Sequence, residues 1–123
     1  MRLLLDTSVV LWWQNGDRRL EAHTRRAIAT ADTVLVSAAA LWEIAIKARL
    51  GKLDVSLDDV FDLSADGFRE LPIRGEHARV AGEFPPHHKD PFDRMIAAQA
   101  QVEKLTLVTS DAIFAKYGVA MLA

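Results

Sequence analysis

His88-Lys-Asp-Pro-Phe-Asp-Arg-Met-Ile-Ala-Ala-Gln-Ala100 reads as a loop followed by the first turns of a helix, with two carboxylates three residues apart. Pro91 suits the first helical position, where its missing N–H costs nothing. Asp90 is then the N-cap and Asp93 the third residue in, so both acids sit where the helix dipole and free N–H groups favour negative charge. Capping alone accounts for this segment. Three acids elsewhere, Asp6, Glu43 and Asp111, change the balance. Each is expected just after a strand or in the helix that follows one.

Working outward, Arg2 to Asp6 reads as a short buried strand ending in an acid, and Thr7 to Gln14 as a helix closed by Asn15-Gly16. Arg18 to Ala31 is a second helical run, and Thr33 to Val36 a β-branched second strand. Ser37 caps a long helix to about Leu50, with Leu41, Trp42, Ala45 and Ile46 at helical spacing. Ser56-Leu-Asp-Asp59 starts another helix, to about Ala65. Phe68 to Ile73 is the third strand, pushed to a sheet edge by Pro72. A short helix over Glu76 to Glu83 and a stiff loop over Pro85 to Lys89 lead to the helix from Asp90 to Lys104. Leu105 to Thr109 is the fourth strand. A turn from Asp111 to Tyr117 precedes a fifth strand, Val119 to Leu122.

Strands alternate with helices and are apolar on both faces, which is the pattern of a parallel sheet covered on both sides. In open sheets of this kind, sites form beyond the carboxyl ends of the strands. Asp6 and Asp111 follow strands, and Glu43 lies on the second turn of the helix after strand two. A right-handed crossover brings Asp93 to the same edge.

The 123 residues are expected to form one domain, 1–123. Half are hydrophobic, which argues against disorder. The chain has no cysteine, which excludes disulfides and thiolate metal sites and fits a reducing, cytoplasmic setting. The apolar run at residues 3–5 is too short for a signal peptide, and no stretch is long enough to span a membrane. With 15 basic and 17 acidic side chains the net charge is −2, against binding of nucleic acid by overall positive charge. A nuclease whose metal supplies the charge at the scissile phosphate stays open.

Carboxylates gathered in one crevice repel, and without a cation at least one has a raised pKa. Mg²⁺ relieves this through oxygen ligands and retained waters, one of which can attack phosphorus. Zinc fits less well, because His23, His77, His87 and His88 form no evident ligand set. Each acid also has an ordinary role: Asp6, Asp90 and Asp111 as helix caps, and Glu43 as an i,i+4 partner of Lys47. Asp93 is equally cap or ligand from spacing alone. Trp12 and Trp13 read as core or interface, and His87-His88-Lys89 as a solvated loop that in a nuclease touches phosphate. Lys47, Arg49, Lys52 and Arg94 form an expected basic rim, with Arg94 the best placed to face substrate or else to make a surface salt bridge.

Leu-Leu-Leu-Asp6-Thr-Ser, Trp42-Glu43-Ile, Asp90-Pro-Phe-Asp93-Arg-Met-Ile-Ala and Leu-Val-Thr-Ser-Asp111 resemble the acidic motifs of PIN-domain ribonucleases, and within these the VapC-type toxins of toxin–antitoxin pairs. The resemblance covers essentially the whole chain, with four acids in order. It implies a PIN-like α/β/α sandwich on a central parallel sheet of about five strands. It implies a pocket binding Mg²⁺ or Mn²⁺, endonucleolytic cleavage of RNA, a homodimer and an inhibitory antitoxin whose basic side chain enters the pocket. By position Asp6, Glu43 and Asp93 are the central acids and Asp111 the fourth, with Thr7 and Thr109 as hydroxyls that orient a carboxylate or a water. A non-catalytic binding module of the same fold is the alternative. A phosphoacceptor receiver domain is disfavoured, because the first strand ends in Asp-Thr-Ser rather than an acid pair.

Overall fold

In the computed structural model, which describes residues 1–122, the elements are β1 (Arg2–Leu5), α1 (Thr7–Asn15), α2 (Ala22–Thr30), β2 (Thr33–Ser37), α3 (Ala38–Arg49), α4 (Leu57–Phe61), β3 (Arg69–Leu71), α5 (Gly75–Glu83), α6 (Pro91–Glu103), β4 (Thr106–Val108) and β5 (Met121–Leu122). Short 3₁₀ turns at Leu63–Asp66 and Ala112–Tyr117 precede β3 and β5. The described strands form one sheet in the order β3-β2-β1-β4-β5, and every pairing is parallel. Helices flank this sheet, giving the α/β/α sandwich expected from the sequence.

The central strand explains the layering. Leu3, Leu4 and Leu5 of β1 are all fully buried, although successive side chains of a strand point to opposite faces. Both faces of β1 are therefore covered, by a core that includes Val9, Ile28, Ile44, Ile96 and Phe114. A strand buried on both sides needs apolar residues at consecutive positions, which is what Leu-Leu-Leu provides.

Element ends follow local chemistry. Gly16 and Gly67 adopt positive φ of 61° and 75°, stopping α1 and the first 3₁₀ turn where a side chain would be strained. The helix expected over 56–65 is divided: α4 stops at Phe61, and a 3₁₀ turn takes over at Leu63. The expected helical run from Arg18 begins only at Ala22, because Asp17 takes the Arg19 backbone N–H and guanidinium and holds the preceding residues in a turn. β3 is an edge strand of three residues, shorter than expected. Pro72 follows it, and its carbonyl accepts from Gln99 Nε2 of α6.

Candidate active site

The acids come from four places along the chain, and the parallel sheet brings them to one edge. Asp6 is the residue after β1, and its backbone N–H donates to Val108 O of β4 at 3.1 Å. Glu43 is on α3, Asp93 is in the first turn of α6, and Asp111 follows β4 by three residues. Asp6, Glu43, Asp93 and Asp111 all line a hollow of about 530 Å³, which Asp90, Thr7 and Lys47 also border. All four are thus brought together.

Each acid is held by specific donors. Asp6 Oδ1 accepts the Val9 N–H at 2.9 Å, which makes it the N-cap of α1, and Oδ2 accepts from the Thr109 hydroxyl. The Thr109 hydroxyl in turn accepts the Asp111 N–H at 3.0 Å. Glu43 is buried, with Oε1 accepting from Thr7 Oγ1 at 2.7 Å and Oε2 2.8 Å from Lys47 Nζ. The i,i+4 partner and the site acid are one residue. Asp90 caps α6 through the Phe92 N–H at 2.9 Å, and Asp111 caps the second 3₁₀ turn through the Ile113 N–H at 3.1 Å.

The electrostatics match a crowded acidic site. Burial pushes the Asp6 carboxyl up, opposed by the Thr109 and Val9 hydrogen bonds, and the charges of Asp111 and Glu43 add to the rise. Asp93 is pushed up to about 7, first by burial and then by Asp90, with Glu43 and Asp6 adding and His88 opposing. Lys47 is held above its ordinary value chiefly by its bond to Glu43.

Two sequence expectations need correction. Arg94 does not line the hollow: its guanidinium donates to Ala81 O at 2.8 Å and Phe84 O at 3.1 Å, tying α6 to the end of α5. Free carbonyls at a helix C-terminus are strong partners for a cation, and here they take this one. His88 is not a solvated loop residue. Its Nε2 lies 2.8 Å from Asp93 Oδ2 and 3.3 Å from Asp111 Oδ2. The other loop imidazole, His87, packs its ring on Tyr117, and His77 is fully buried beside Glu103 at the far end of α6. Ser8, Trp12, Asn15 and Arg19 also border the hollow and were not singled out for it. The α1 residues among them recur at four- and then three-residue spacing from Ser8, which puts them on one edge of the helix.

The donor set is the chemical test of whether these residues suit a cation. Hard carboxylate oxygens converge on one hollow, and two of the acids are disfavoured as anions there. That combination of hard oxygen donors fits a hard divalent ion.

Comparison with known proteins gives consistent results. The PIN domain family matches residues 3–120. Ribonuclease VapC22 of Mycobacterium tuberculosis is 31% identical over 112 residues, covering 89% of this chain and 86% of that protein. Among solved structures, VapBC2 from Rickettsia felis bound to a DNA fragment from its promoter superposes with a TM-score of 0.77 at 18% identity, covering 99% of this chain and 98% of that one. FitAcB from Neisseria gonorrhoeae superposes with a TM-score of 0.68 at 24% identity, covering 98% and 96%. With the acidic motifs in order on this sheet, the chain belongs to the PIN-domain family and is VapC-like within it.

Proposed function

We propose that this protein is a Mg²⁺- or Mn²⁺-dependent endoribonuclease, the toxin of a toxin–antitoxin pair, acting in the cytoplasm as a single-domain protomer of a homodimer. The observation that carries the reading is the meeting of Asp6, Glu43, Asp93 and Asp111 in one hollow. A ribonuclease relative and structural neighbours solved as toxin–antitoxin complexes support it. A divalent ion bound there supplies positive charge for the scissile phosphate and a water of lowered pKa. The residues of the chain supply the rest. Asp6 and Asp93 hold the ion. Thr109 and Thr7 fix the rotamers of Asp6 and Glu43 through their hydroxyls. Lys47, 44% exposed at the rim, is placed to meet the RNA backbone while holding Glu43. An antitoxin that inserts a basic side chain into this acidic hollow blocks it by charge complementarity.

Asp6→Asn and Asp93→Asn should each abolish RNA cleavage in Mg²⁺ while circular dichroism stays that of the native fold. Wild-type cleavage by either variant refutes the assignment and leaves a binding module acting through its partner.

A further inference from the structure

His88 lies against two of the acids, and their roles do not explain it. It comes from the loop before α6, and its side chain is mostly buried. The Asp90 backbone N–H donates to its Nδ1 at 3.3 Å, and its own N–H donates to the Tyr117 hydroxyl at 2.7 Å. A backbone N–H can only donate, so Nδ1 must accept and the ring proton is on Nε2. That Nε2 faces Asp93 Oδ2 and Asp111 Oδ2 together. The nearest ligand atoms of His88, Asp93 and Asp111 all lie within 4.8 Å of one another, as a direct metal-ligand triad would require. The tautomer opposes that role for the imidazole: a ring that binds a cation through Nε2 must carry its proton on Nδ1, against the Asp90 N–H.

The geometry points to His88 as a positioning residue that donates its Nε2–H between Asp93 and Asp111 and so holds Asp111 at the cation site without binding the cation itself. Asp111 needs such a tether. It is 46% exposed, and one of its oxygens is already committed to capping Ile113. Asp93 is anchored on a long helix, and His88 links the more exposed acid to it. The same turn that caps α6 sets the tautomer, since Asp90 takes the Phe92 N–H with its side chain and gives its own N–H to His88.

This inference rests on the reading of the hollow as a divalent-cation site. The test is Mn²⁺ affinity by electron paramagnetic resonance, with the His88 tautomer read from ¹⁵N chemical shifts in the Mg²⁺-loaded protein. The wild type should bind Mn²⁺ and carry its His88 proton on Nε2. His88→Ala should weaken Mn²⁺ by about 10-fold or more, as loss of a hydrogen bond to a ligating carboxylate does elsewhere. His88→Gln, whose amide N–H reaches about as far as Nε2, should restore most of the affinity. With Asp111→Asn as background, His88→Ala should add little, because the group it tethers is gone. Circular dichroism of each variant checks folding, and the Gln rescue keeps the result independent of the Ala variant's stability. Unchanged affinity in His88→Ala overturns the inference and leaves the cation site standing. Modulation of the Mn²⁺ signal by an imidazole ¹⁴N overturns it in favour of direct ligation. No Mn²⁺ binding by the wild type at millimolar concentration overturns both.

Discussion

A single hydroxyl shows how narrowly the site is held. Thr109 donates to Asp6 while accepting from Asp111, and it is almost fully buried. Thr109→Val keeps the shape, leaves Asp6 Oδ2 without its donor and should raise the Asp6 pKa further. The expected cost is about 1–3 kcal/mol in urea unfolding, together with a clear loss of RNA cleavage. A variant as stable and active as the wild type would mean the hydroxyl is incidental. Titration gives a second expectation at this scale. Asp93 rises from 3.8 to about 7, so the metal-free folded protein keeps protons that the unfolded chain has released. The Asp93 contribution to stability is therefore fullest below about pH 4 and falls as pH climbs to about 7, with Asp6 adding in the same direction. Asp17 and Glu103, both held low, act oppositely and at lower pH. Denaturant melts of metal-free protein across pH 4 to 8 should show the decline, and a rising profile would place these carboxyls elsewhere. At this scale the sequence revealed the acids and, through Thr7, Thr109 and Lys47, part of what holds them, but not the place of His88. His88 looked like a polar loop residue and Arg94 a rim cation, because a side chain's partner depends on the turn of backbone it meets in space.

Among the elements, α6 concentrates the most function. Its N-terminus presents Asp90 and Asp93, its middle buries Ile96, Ala97, Ala98 and Gln99, and its C-terminus ends on Lys104 at φ 57°. Lys104 is the non-glycine residue in the left-handed region among the described residues. Lys104→Gly should relieve that strain and stabilise the fold by about 0.5–1 kcal/mol in denaturant unfolding; a destabilised variant would show that the lysine makes up for it in contacts. Helices were legible where caps and apolar spacing agreed, as with Ser37 before α3 and Asp90-Pro91 before α6. The division near Asp62 and the late start of α2 were not, because both arise from local side-chain hydrogen bonding rather than from periodicity. Trp42 illustrates the same limit. Helical spacing assigned it to the apolar face, yet it is 62% exposed and meets Phe92 edge-on at 5.3 Å, next to Glu43 on one helix and Asp93 on the other.

For the molecule as a whole, the parallel sheet was readable from strands that are apolar on both faces, and the observed order β3-β2-β1-β4-β5 puts β1 at its centre. The convergence of the acids follows from that order, since β1 and β4 are neighbours. Because the hollow crowds negative charge, a cation that binds only the native state should raise the melting temperature. Millimolar Mg²⁺ should raise it by several degrees in the wild type and not in Asp93→Asn, as followed by differential scanning calorimetry. An equal rise in both would place the bound ion away from this hollow.

Asp6 and Thr109 are 103 positions apart, yet each needs the other to complete the site. As the polypeptide leaves the ribosome, β1 can dock on β2 early, but its other edge waits for β4. A nascent chain that already holds Asp6 and Glu43 therefore carries an unfinished hollow, closed only when Thr109 and Asp111 arrive with β4.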